Sequence, residues 1–141
     1  FEGNWFVKAE RMGRRGNMQP VDETEVKCKF KELNLMQMKI SIDDYYVQSR
    51  LFLFSYHTES KKYRVAVYND FSSSMILFEG DFEDGIFTAD NITKFGEYEP
   101  RNILQLKISD ISKEGFILEF NRSVDKGENW MPYYKFVFAS K

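Results

Sequence analysis

The sequence has no surplus of basic charge, no pair of cysteines, no cluster of histidines and no long apolar run. Lys and Arg number 20 against 22 Asp and Glu, a net charge of −2. Nucleic-acid binders carry a clustered basic excess, so that class of partner is excluded. A single cysteine, Cys28, excludes an internal disulfide, and bridges therefore say nothing about compartment. It sits in the alternating run Val26, Cys28, Phe30, which marks a small core residue rather than a reactive thiol. A single histidine, His57, excludes a zinc site of several imidazoles, and Cys28 with His57 cannot complete a structural one. His57 falls in the polar turn 57–62, and there is no Gly-x-Ser-x-Gly elbow. No catalytic residue, metal or cofactor is assigned, haem included, and the pattern argues against an enzyme. No run approaches the ~20 apolar residues of a membrane-spanning helix, so an integral membrane protein of that kind is not expected. No signal-peptide pattern is present, yet the chain opens at Phe1, at the edge of the first strand. That start predicts a soluble chain from which something upstream was removed: an export signal, a lipid-anchored linker, an appended tag or another domain. Alanine, the best helix former, is scarce.

Aromatic side chains are abundant: 14 Phe, 8 Tyr and 2 Trp make 17% of 141 residues. Such residues suit pleated, half-buried surfaces. The length fits one domain over 1–141. Strand follows strand along it. Asn4–Glu10 places Trp5, Val7 and Ala9 on one side. A Gly-rich stretch, Arg11 to Asn17, reads as a loop that Pro20 ends. Thr24–Phe30 alternates Val26, Cys28 and Phe30 with Lys27, Lys29 and Lys31, the mark of a sheet with one wet face. Lys31–Met38 fits either a short helical turn or a continuing strand. The period of two that resumes at Lys39 to Ile42 favours the strand, and Asp43-Asp44 then turns the chain. Tyr45–Tyr56 is apolar on both faces near Leu51 to Phe54. Further strands are Tyr63–Tyr68, Met75–Phe82, Ile86–Ile92, Asn102–Asp110, Phe116–Asn121 and Met131–Phe138. Asp84-Gly85 is a two-residue hairpin signal, because both residues accept the positive φ of a type I′ turn.

Nine or ten strands with short turns and no linker predict sequential antiparallel pairing. An open meander would expose two sticky edges. The expected fold is therefore all-β: an antiparallel up-and-down closed barrel of about 8–10 strands. Barrels of that size enclose packed side chains or one small ligand.

Two motifs go further. Gly3-Asn4-Trp5 resembles the Gly-x-Trp opening of lipocalins and the wider calycin superfamily, in which the tryptophan plugs one end of the barrel. Ser123-Val124-Asp125-Lys126-Gly127-Glu128-Asn129-Trp130 resembles the Ser-x-Asp-x-Gly-x-x-Trp turn called an Asp-box. In that resemblance the Asp carboxylate accepts hydrogen bonds from the turn, the glycine takes positive φ and the tryptophan packs the turn onto the sheet. A single copy implies a structural hairpin, not a sialidase-like propeller. The order of Tyr56 to Tyr63, Asp70, Glu79-Gly80-Asp81-Phe82 and the terminal turn is similar to an uncharacterised bacterial family of lipocalin-like proteins. The resemblance implies a lipocalin-like closed barrel with a small-molecule cavity.

Four residues are candidates for ligand contact. Trp5 comes from the first motif. Arg50 shares parity with Phe52, Phe54 and Tyr56, and would orient a ligand in an apolar pocket if that face lines the interior. Tyr68 shares parity with Arg64 and Ala66, opposite Val65 and Val67. The competing reading has Arg50 snorkelling from the rim and the tyrosine hydroxyls in water. Arg11, Arg14 and Arg15 in the Gly-rich loop are placed to attract an anion if that loop lies at the mouth. Asp81, Glu83 and Asp84 read as a solvated turn, and Asn91 and Asn121 begin glycosylation-type triplets. The expected function is a non-enzymatic binding module for a small hydrophobic or amphipathic molecule. The alternative is a structural or protein-interaction domain with a filled barrel.

Overall fold

The computed structural model describes residues 1–32, 35–42, 49–69, 74–92 and 103–141. Ten strands cover most of them: β1 (Gly3–Met12), β2 (Met18–Glu32), β3 (Leu35–Ile40), β4 (Arg50–His57), β5 (Lys62–Asn69), β6 (Ser74–Glu83), β7 (Ile86–Asp90), β8 (Ile103–Ser109), β9 (Gly115–Ser123) and β10 (Met131–Ser140). Each pairs antiparallel with its sequence neighbours, and β1 also pairs with β10, so the sheet is an up-and-down closed barrel. The closing seam runs from Trp5↔Ser140 to Arg11↔Tyr134. Closure satisfies the backbone groups that two free edges would leave open. No helix occurs among the described residues.

Alternation decides which side chains fill the lumen. Val26 and Cys28 of β2, Val65 and Val67 of β5, Phe116, Leu118 and Phe120 of β9, and Tyr134, Phe136 and Phe138 of β10 are buried. Charged residues alternate with them and pair across strands outside, as in Arg64–Glu79 at 2.9 Å and Lys135–Glu10 at 3.1 Å. Asp84 and Gly85 both adopt positive φ, 50° and 77°, as the hairpin reading requires. Burial pushes the Cys28 thiol up to about 12, in keeping with a core residue.

Two expectations need correction. The stretch Lys31–Met38 is not one continuing strand. The chain reverses within it: β2 ends at Glu32 and β3 returns antiparallel, pairing Cys28 with Met38 and Phe30 with Met36. Reversal sets Met36, Met38 and Ile40 on the lumen side beside Cys28, where all three are buried. The second correction is Pro20, which lies inside β2 rather than closing the loop. A register shift between Ala9 and Glu10 sets Pro20 opposite Glu10, and such an irregularity tolerates a residue with no N–H. The Asp43-Asp44 turn, the start of the predicted strand Tyr45–Tyr56, Asp70 and the first residue of the predicted strand Asn102–Asp110 lie outside the described residues.

A ten-stranded barrel has a wider lumen than an eight-stranded one, whose interior side chains just fill. Phenylalanine takes up the difference. Phe52, Phe78, Phe120 and Phe136 are fully buried at the waist. Phe120 lies 6.0 Å from Phe52, 5.9 Å from Phe78 and 4.6 Å from Tyr134, ring centre to ring centre. Among the described residues, this aromatic plug stands between two chambers, one toward each end of the barrel.

Candidate binding site

The first chamber opens at the end that holds Phe1. Strand alternation delivers Phe30, Met36, Phe54, Tyr56, Tyr63, Phe82 and Phe87 to a cavity of about 270 Å³. Its aromatic walls are mutually braced. Tyr63 lies 4.9 Å from Tyr56, 5.4 Å from Phe82 and 6.0 Å from Phe87, and Phe82 lies 5.2 Å from Phe87. Edge-to-face and tilted contacts of this kind hold rings in place. The rim is left in water: Phe30 is 54%, Tyr56 40% and Phe82 40% exposed. These residues have lumen-side parity but stand at strand ends, beyond the reach of the plug.

Trp5 is buried near the same end without lining that chamber. Its indole N–H donates to the Phe1 carbonyl at 2.9 Å, and its ring meets Phe116 edge-on at 5.1 Å. It therefore packs the barrel wall against the N-terminal residue. Gly3 adopts φ +150°, a conformation that favours glycine, and a Cβ there would touch only the Trp5 ring at ordinary distances. Backbone conformation accounts for it.

The second chamber, about 230 Å³, lies at the opposite end, where β5 finishes and β4 begins. Val67, Ile76, Leu104 and Phe120 give it apolar walls, and Arg50, Asn69, Arg122, Tyr133 and Tyr134 supply polar groups. Arg50 has the lumen-side parity expected for it and is buried at 7% exposure. Its Nε donates to the Tyr134 hydroxyl at 2.8 Å, and its guanidinium carbon lies 4.8 Å from the Tyr134 ring centre. Burial pushes the Tyr134 phenol up to about 12, while the Arg50 charge pulls the other way. The Tyr134 hydroxyl is thus neutral at physiological pH. The Arg14 and Arg15 loop stands at this end, exposed, where β1 turns into β2.

The four residues nominated from sequence are not brought together. Arg50 lines the second chamber, Tyr56 the first, and Trp5 seals the wall. Tyr68 shares parity with Ala66 rather than with buried Val65 and Val67, and so stands on the outer face between Leu51 and Met75. Sequence reasoning passed over Tyr134, Phe82 and Phe30. Their inward parity with Phe136, Phe78 and Cys28 was readable, but nothing local said that they end at a chamber.

The remaining candidates are turn devices. His57 Nδ1 accepts from the Ser60 backbone N–H at 3.2 Å and bonds its hydroxyl at 2.8 Å. Asp81 accepts from Phe82 N–H and Lys62, which lowers its carboxyl below the usual range. Asn91 Oδ1 accepts from Leu104 N–H, and Asn121 donates to Gln105. In the Asp-box, Ser123 donates to Asp125 Oδ1 at 2.6 Å, Asn129 donates to both carboxylate oxygens, and Gly127 adopts φ +88°.

The Ser123 hydroxyl first, then the Asn129 amide and backbone N–H, hold Asp125 ionised down to about 2. A carboxyl depressed on folding stabilises the fold fully above its ordinary value of 3.8, and that contribution disappears as pH falls through about 2. Asp125→Asn should therefore flatten the dependence of the urea midpoint on pH between about pH 4 and about pH 2. Identical slopes in wild type and variant would refute this linkage.

Comparison with protein-family models and with curated proteins gives no match to this chain.

Proposed function

We propose that this protein is a non-enzymatic binding module of the lipocalin-like kind, and that it holds a small hydrophobic or amphipathic molecule in the Phe1-end chamber. The observation that carries the reading is the apolar cavity of about 270 Å³ whose rim leaves Phe30, Tyr56 and Phe82 in water. Large apolar side chains gathered around a concavity mark a binding site, whereas scattered ones need no explanation. Ser55 and the Tyr56 and Tyr63 hydroxyls are the few polar groups available to orient an amphipathic guest.

The neutral dye N-phenyl-1-naphthylamine tests the reading. Its fluorescence should rise saturably with wild type. The double variant Phe30→Ser, Phe82→Ser changes only rim positions and should bind at least tenfold more weakly, a loss of about 1.4 kcal/mol or more. Native mass spectrometry before and after organic extraction adds a probe-free arm. A bare mass together with no saturable dye signal would remove the reading.

A second reading, an interaction domain, is favoured by a separate observation. Leu51, Leu53, Tyr68, Met75 and Leu77 stand together on the outside of β4, β5 and β6, and Met75 is 60% exposed. Sedimentation as a monomer at every accessible concentration would sink its self-association version.

A further inference from the structure

We propose that the second chamber is a separate site for a small organic carboxylate, held by Arg50 and Tyr134. The inference does not depend on the Phe1-end chamber, because the phenylalanine plug separates the two.

Arg50 is 7% exposed, and its Nη1 has no hydrogen-bond partner. A buried guanidinium donor left open is costly, since the group has given up water and gained nothing for that N–H. Its Nε is occupied by Tyr134, which fixes the plane of the guanidinium. The Tyr134 oxygen accepts that bond, so its own proton remains to be donated. Arg50 and Tyr134 both line the chamber, and each has a donor left to offer. No carboxylate is present among the described residues that line the chamber, although Arg50 and Arg122 both line it. The local field therefore favours an anion.

The walls define the rest of the ligand. Val67, Ile76, Leu104 and Phe120 present only hydrocarbon. The volume of about 230 Å³ equals roughly eight waters in the liquid, enough for a ring bearing a carboxylate and too little for a long chain. A carboxylate has an oxygen for each donor, and guanidinium–carboxylate hydrogen bonds are among the strong ones. Arg122 lies 5.6 Å over the Tyr133 ring at the rim, more exposed than Arg50, and adds attraction at the entrance.

Benzoate is the probe, with benzyl alcohol as its neutral counterpart. Calorimetry on wild type should give saturable benzoate binding, at least tenfold tighter than benzyl alcohol. Tyr134→Phe and Arg50→Met should each weaken benzoate at least fivefold and leave naphthylamine binding at the other end unchanged. In the wild-type protein the Arg50 Nε–Hε NMR resonance should shift saturably with benzoate, a readout that survives if a variant fails to fold. No shift of that resonance at millimolar benzoate would overturn the proposal. Equal binding of benzyl alcohol would also overturn it, as would loss of benzoate in the Phe30→Ser, Phe82→Ser variant with Arg50→Met unaffected. Failure of the dye experiment alone would leave this site standing and remove only the other.

Discussion

Phe120→Ala should lower the stability of the barrel by about 3–5 kcal/mol, read as a shift of the urea midpoint at constant m. The residue is at the centre of the plug. Its ring meets Phe52, Phe78 and Tyr134, and its strand partners are Tyr134 and Leu106. Truncation removes the transfer free energy of a phenyl ring and opens a void that the barrel cannot collapse to fill. Hydrogen-bonded strands on every side fix the circumference, and each neighbouring ring is held by its own strand. The variant should also join the two chambers, so dye bound at one end and benzoate at the other should lose their independence. A loss of less than about 1 kcal/mol would mean that the waist repacks, and that the lumen is not set by these rings.

Gly80→Ala is expected to have the second large effect, about 3 kcal/mol, at the upper end of overpacking costs. Gly80 has lumen-side parity between Phe78 and Phe82 on β6 and pairs with Ala89 on β7. A Cβ there would overlap the Thr88 carbonyl oxygen and stand 2.5 Å from Ala89 Cα. Those are backbone atoms of the neighbouring strand, so no rotamer change relieves the overlap. Glycine at such a place lets a strand coil tightly enough to close a barrel. Gly115 is in the same position against the Phe138 carbonyl. Gly16 supplies the contrast. It adopts φ +79° in open space, so Gly16→Ala should cost only about 1 kcal/mol, for conformation alone. Thermal melts of the two variants separate the mechanisms: equal losses would refute the steric account of Gly80.

Among the described residues the barrel holds two chambers, where packed side chains or room for one small ligand is what a barrel of this size leads one to expect. Aromatic abundance is divided between plug and rim. At the waist it fills space; at the Phe1 end the same side chains line a cavity. The polar groups lie elsewhere, around Arg50, and that separation sets an apolar chamber apart from one lined by two arginines.

Much of this was determined by the sequence itself. Alternation in Val26-Lys27-Cys28-Lys29-Phe30 and Phe116 to Phe120 marks strands and their inner faces, because a pleated strand exposes successive side chains to opposite sides. Asp84-Gly85 and Ser123 to Asn129 declare their turns, since those residues satisfy positive φ and turn hydrogen bonds locally. Parity also put Arg50 on one face with Phe52, Phe54 and Tyr56. Other features depended on the closed sheet. Arg50 and Tyr134 are 84 residues apart and meet only because their strands face each other across the lumen. Lys31–Met38 alternates passably as one strand, and only its pairing with Thr24–Phe30 shows the reversal. Tyr68 could have faced either way until Val65 and Val67 claimed the lumen. Periodicity is a property of one strand, whereas register around a closed barrel is a property of all ten. The strand is legible in the sequence, and the chamber in which each strand ends is decided by the barrel.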